Sequence, residues 1–116
     1  MQYVCLVYVE ERSFDEMSER DQKQLTSDCI DYNNDLQKRG QLINASALQP
    51  VTAAATVRVR NTKVSTTDGP FAETKEHLGG FVLIEARDFN EAIQIAAKSP
   101  MARIGSIEVR PVMELK

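Results

Sequence analysis

Tyr3-Val4-Cys5-Leu6-Val7-Tyr8-Val9 is rich in β-branched and aromatic residues and does not alternate in polarity. Such a run predicts a strand that is apolar on both faces, so both faces need cover. Phe81-Val82-Leu83-Ile84 has the same character. Two-sided apolar strands belong in the interior of a sheet, and the segments around them decide which sheet.

Between the two runs, Ser18 and Asp21 resemble a capping box with Asp in place of Glu. Leu25, Cys29, Tyr32 and Leu36 then recur at helical spacing, with Lys23, Asp28, Asp31 and Asp35 on the opposite face. Lys38, Arg39 and Gly40 suit a helix C-terminus. The pattern predicts a helix from Ser18 to Arg39. Gln41 to Leu48 reads as a strand of mixed polarity that Gln49-Pro50 ends. Thr56-Val57-Arg58-Val59-Arg60 alternates, Asn61-Thr62 turns, and Lys63 to Thr67 returns. This predicts a β-hairpin, although Asn-Thr is a poorer turn pair than Asn-Gly. Asp88 and Glu91 cap a second helix carrying Phe89, Ala92, Ile93, Ala96 and Ala97 on one side, and Pro100 stops it. Ser106 to Val112 alternates again, and Pro111 marks an edge strand or one that is ending.

Leaving the hairpin aside, the order is strand, helix, strand, strand, helix, strand. That is the ferredoxin-like split βαβ pattern, an α+β fold whose first and third core strands lie in the centre of the sheet. Those are the two runs that are apolar on both faces. Two helices cover one face only, and an apolar patch of that size is uncommon on a soluble monomer. The expected remedy is a second copy packed face to face in a symmetric homodimer, unless the inserted hairpin folds over part of that face.

The 116 residues suit one domain, residues 1–116, with one core. Acidic residues number 17 against 14 basic, and no basic tract exceeds Lys38-Arg39. Nucleic acid is therefore not an expected partner. No stretch reads as a signal peptide or a membrane span, so a cytoplasmic protein is expected. Cys5 and Cys29 have no pairing spacing and read as reduced thiols. One histidine and two separated cysteines make no metal site. Gly79-Gly80 precede a strand rather than a helix, so no phosphate-binding loop is present and no cofactor is expected.

The stretch Thr67-Asp68-Gly69-Pro70-Phe71-Ala72-Glu73-Thr74-Lys75-Glu76-His77-Leu78-Gly79-Gly80 is the candidate site. Gly69 tolerates φ > 0, and Pro70 fixes its own φ while forcing Gly69 out of the α region. The chain must bend at Asp68. A loop that is dense in titratable groups and bounded by glycines is a place to look for function. Asp68 has two readings: a cap on its own turn, or a general base in a cleft. Glu73 and Glu76 read as a paired acid and base, or else as solvated groups or salt-bridge partners of Lys75 and Arg58. Arg110 can offer a planar cationic fork to a carboxylate or pair with Glu108. The lone His77 reads as a surface residue.

The segments Thr67 to Glu76, Leu78-Gly79-Gly80-Phe81 and Ile107-Glu108-Val109-Arg110-Pro111 resemble the DGPF branch of the YCII-related family. Leu48-Gln49-Pro50, Thr56 to Arg60 and the opening strand extend the resemblance over nearly the whole chain. It implies a dimeric α+β barrel. Some YCII relatives are enzymes acting on small organic molecules through a His and an Asp, and the Asp of that pair falls on Asp68. Some DGPF proteins are encoded near extracytoplasmic-function sigma factors, which implies a regulatory association. Two departures stand out. His77 replaces the Gln usual in this branch, and Ala45-Ser46-Ala47 replaces a Gly-containing segment.

Two classes of function follow. One is an enzyme doing acid/base chemistry on a small anionic organic molecule, with Asp68 as base and Arg58, Arg60, Lys75 or Arg110 holding the anion. Gly69, Pro70, Phe71 and Glu73 then form the structural motif around it. The other is a non-catalytic ligand-binding or regulatory module.

Overall fold

The computed structural model describes residues 1–115. Strand β1 (Gln2–Val9) is followed by helices α1 (Glu11–Asp15) and α2 (Glu19–Lys38) and by β2 (Leu42–Ala47). The hairpin strands β3 (Ala55–Arg60) and β4 (Lys63–Asp68) come next, then β5 (His77–Glu85), α3 (Phe89–Ala97) and β6 (Ser106–Pro111). The main sheet is antiparallel with strand order β2-β5-β1-β6, the ferredoxin-like arrangement. The two-sided apolar strands β1 and β5 occupy its centre, as expected.

Local signals are realised at the helix ends. The Ser18 hydroxyl accepts from the Asp21 amide at 3.1 Å, and Asp88 Oδ1 accepts from the Glu91 amide at 2.8 Å. Gly40 takes φ +72° just past α2, where Gln41 N–H donates back to Leu36. The register puts Tyr3, Cys5, Val7, Val82 and Ile84 on one face of the sheet. There they pack with Leu36, Ala92, Ile95 and Ala96 of α2 and α3 into the core. The opposite face carries Val4, Leu6, Phe81 and Leu83, all half-buried, and none of the buried core residues lies on that side.

Burial pushes the Cys5 thiol up to about 11. Burial, and secondarily Cys5, push the Tyr32 phenol well above its ordinary range. The Tyr32 hydroxyl donates to the Ile95 carbonyl at 2.7 Å and ties α2 to α3. Cys29 is also raised, by burial and then by Asp28. These groups are neutral and structural.

One expectation needs correction. The third core strand begins at His77, not Phe81, so Gly79 and Gly80 lie inside it. Pairing skips from Val7–Gly80 to Tyr8–Leu78, which makes Gly79 the extra residue of a bulge. A Cβ on Gly80 would fall 2.8 Å from the Ser46 carbonyl oxygen of β2, so that glycine serves close strand approach rather than loop flexibility. The short helix α1 was not anticipated at all.

The hairpin turn is left-handed at both central residues, with Asn61 at φ 51° and Thr62 at φ 65°. Asn tolerates that region, but a β-branched residue there carries roughly 1–2 kcal/mol of strain. Thr62→Gly is therefore expected to raise stability by about 1 kcal/mol in urea unfolding. A loss of stability would mean that the Thr62 side chain contributes more than its backbone strain costs.

Candidate functional site

A cleft of about 1200 Å³, open to solvent, lies where the end of β1, the start of β5 and the start of β6 converge with two loops. Tyr8, His77, Leu78, Ser106 and Glu108 reach it from the strands. The segment Leu48–Val51, Ala53 and Ala54 form one wall, and Pro70, Phe71, Ala72, Thr74 and Glu76 form another. The lining is mostly apolar with a few polar groups, the usual make-up of a small-molecule site.

Each wall has its own support. The amide of Val51 donates to Glu11 Oε2 at 3.0 Å, so the unanticipated helix α1 props the first wall. The amide of Leu48 donates to the Gly79 carbonyl at 2.9 Å and ties the same wall to β5. In the second wall, Thr74 donates to the Glu76 carbonyl. The Ser106 hydroxyl donates to Glu76 Oε1 at 3.1 Å, which links the loop to β6. The bulge at Gly79 sets the register of the residues before it, His77 and Leu78, against β1.

His77 is half-buried, not a surface residue. Its Nδ1 is buried and has no hydrogen-bond partner among the described residues. Buried polar atoms are nearly always paired, and an orphan asks for an explanation. The sequence signal that points here is simple: the chain has one histidine, and it immediately precedes the Leu78-Gly79-Gly80 stretch.

The expected site residues are placed differently. Gly69 takes φ +100°, so the bend at Asp68 is real. The turn is clamped by Gly69 N–H donating to the Ala54 carbonyl at 2.7 Å and by Thr56 Oγ1 donating to the Gly69 carbonyl at 2.9 Å. The Asp68 carboxylate takes no part in that clamp, is exposed and does not line the cleft, whereas the next residues of its turn do. Pairing of Ala55 with Asp68 and of Arg58 with Ser65 puts Asp68 and the two arginines on opposite faces of the hairpin. Asp68 therefore does not share a cleft with Arg58 and Arg60 within one chain. The Arg58 guanidinium sits 5.1 Å from the centre of the Phe71 ring, a cation–π contact. Arg60 donates to the Val59 carbonyl. Arg110 pairs with Glu108 on its own strand. Lys75 and Glu73 are exposed. Among the described residues, no lysine or arginine lines the cleft, whose charged groups are Glu76 and Glu108.

Comparison with known proteins places these features in context. The sequence model of the YCII-related domain matches residues 1–116. A Rhizobium meliloti (strain 1021) protein described as uncharacterized is 36% identical over 114 residues, covering 97% of this chain and 92% of that protein. Among solved structures, a 5-chloro-2-hydroxyhydroquinone dehydrochlorinase from Burkholderia phenoliruptrix AC1100, in complex with 2,5-dihydroxybenzoquinone, superposes with a TM-score of 0.57. The overlap covers 97% of this chain and 94% of that one at 12% identity, so the likeness is one of fold. Among the described residues, no helix is long and apolar enough to cross a membrane.

Proposed function

This chain belongs to the YCII-related family, and from that premise we propose that it is an enzyme that moves a proton on a small organic molecule held in the Tyr8–His77 cleft. The observation that carries the reading is the buried Nδ1 of His77, without a partner among the described residues, in the lining of a mostly apolar cleft. A neutral imidazole offers one donor and one acceptor nitrogen. A substrate hydroxyl or C–H placed against Nδ1 would satisfy that atom and give up its proton there, or an N–H at the same atom would return one. The Tyr8 phenol is the second polar group positioned to orient such a substrate, and Glu76 is already engaged by Ser106. The solved neighbour is named as a dehydrochlorinase and holds a small quinone, which supports proton chemistry on a small ring compound. Among the described residues the cleft lining carries Glu76 and Glu108 but no lysine or arginine, which favours a neutral hydroxyl- or carbonyl-bearing ligand.

The working form is a homodimer. Val4, Leu6, Phe81 and Leu83 form an apolar sheet face with no helix over it, and a second copy is the natural cover.

The experiment is a thermal-shift screen of hydroxybenzenes, benzoquinones and small carboxylic acids, followed by turnover assays on each hit with His77→Gln and Asp68→Asn. The expected result is a neutral hit that is turned over by wild type and Asp68→Asn but not by His77→Gln. A hit converted equally well by His77→Gln would overturn the assignment. Stabilisation without turnover would make the protein a ligand-binding module.

A further inference from the structure

We propose that Phe71 is a stacking platform in the Tyr8–His77 cleft, that Arg58 tunes its ring from behind, and that the pair selects an electron-rich aromatic ligand of the phenol class. The proposal rests on reading the cleft as a small-molecule site and adds the kind of molecule it takes.

Phe71 is 74% exposed, so burial of its ring contributes little to the core. One side of the ring is nevertheless covered, because the Arg58 guanidinium lies over it at 5.1 Å from the ring centre. Phe71 lines the cleft and Arg58 does not. The cation therefore backs the ring, and the open side of the ring is the side available to a molecule in the cleft.

Strand periodicity explains how the pair is assembled. Thr56 and Arg58 are two residues apart on β3, so they share a face of the hairpin. The Thr56 hydroxyl donates to the Gly69 carbonyl at 2.9 Å. Arg58, one step along the same face, meets Phe71, which is two residues past Gly69. Gly69 is held in turn by its own amide, which donates to the Ala54 carbonyl at 2.7 Å, and Pro70 fixes the next φ. The turn delivers Phe71 to the cleft wall, and the hairpin face supplies the cation behind it.

Among the described residues Arg58 has no carboxylate partner, so its charge acts on the ring without a counter-charge. A cation over one face of an aromatic ring draws π density toward itself. The far face is left poorer in electrons, and stacking between quadrupoles then favours an electron-rich partner ring. A phenol has such a ring and also carries a hydroxyl that His77 Nδ1 can accept from. The other cleft wall supplies Leu48, Pro50 and Val51, which offer a flat ring apolar contact without a competing charge.

The test is a titration read on the lone His77, whose single pair of imidazole NMR signals reports on the cleft. The probes are phenol, para-cyanophenol and cyclohexanol: an electron-rich ring, an electron-poor ring and a saturated ring of similar size, all used as neutral molecules. Wild type should bind phenol about fivefold more tightly than cyclohexanol. Phe71→Leu keeps apolar bulk without a π face and should bring that ratio to about one, whereas Phe71→Tyr should preserve it. Arg58→Gln should weaken phenol binding about threefold and para-cyanophenol binding less. Both positions are exposed, so all three variants should keep wild-type far-UV circular dichroism. A wild type that binds cyclohexanol as tightly as phenol, or binds neither, would overturn the platform, as would an unchanged ratio in Phe71→Leu. Equal losses of the two phenols in Arg58→Gln would overturn the tuning by Arg58. The ratio needs no turnover. A ratio that falls in Phe71→Leu stands even if His77→Gln still turns substrate over, and an unchanged ratio leaves the His77 turnover test intact, so the two readings fail separately.

Discussion

Ile84→Ala is expected to lower stability by about 4 kcal/mol, read as a fall of roughly 2 M in the urea midpoint. Ile84 is fully buried at the centre of the sheet, in register with Tyr3. It packs in one cluster with Leu36 of α2 and with Ala92, Ile95 and Ala96 of α3. Truncation removes the apolar contact and leaves a cavity, and the small alanines around it have little side chain with which to fill the space. A loss below about 1 kcal/mol would mean that the helices collapse onto the gap and that the core is looser than its burial implies.

Gly105→Ala is expected to cost roughly 3 kcal/mol and to disturb the cleft as well. A Cβ at this position would fall 2.2 Å from the Tyr8 carbonyl oxygen and 2.8 Å from Val9 Cγ1. The valine methyl can rotate away, but the carbonyl belongs to the central strand and cannot move without shifting β1. Gly105 directly precedes Ser106, and Tyr8 and Ser106 both line the cleft. The same substitution should therefore shift the His77 imidazole NMR signals along with the urea midpoint. A variant with wild-type stability would show that β6 approaches β1 less closely than the structure has it.

Hydrophobic periodicity and capping chemistry are local properties, and they were legible. The two-sided apolar runs went to the sheet centre, Ser18 and Asp88 became caps, and Gly69 took a positive φ ahead of Pro70. The site was legible only as a neighbourhood. The stretch from Thr67 to Gly80 does supply much of the cleft, through Pro70, Phe71, Thr74, Glu76, His77 and Leu78. Which of its side chains enter the cleft was not legible. Asp68 is conspicuous in sequence because it precedes a forced bend, yet a bend fixes the backbone and says nothing about where a carboxylate points.

The amino-acid sequence by itself determined the order of the core strands and the two long helices, the ferredoxin-like topology and the apolar character of the sheet face that no helix covers, because each follows from residue types at short spacing. Only the tertiary structure decided that His77 lines the cleft with a buried Nδ1 and that Asp68 and Arg58 part to opposite faces. It also decided that Gly80 and Gly105 are required for close strand approach rather than for turning. The physical reason is register. Side chains on a strand alternate, so one inserted residue, such as the Gly79 bulge, reverses the facing of everything on one side of it relative to the other. Register is settled by pairing between strands far apart in the chain, here Val7 with Gly80 and Ala55 with Asp68.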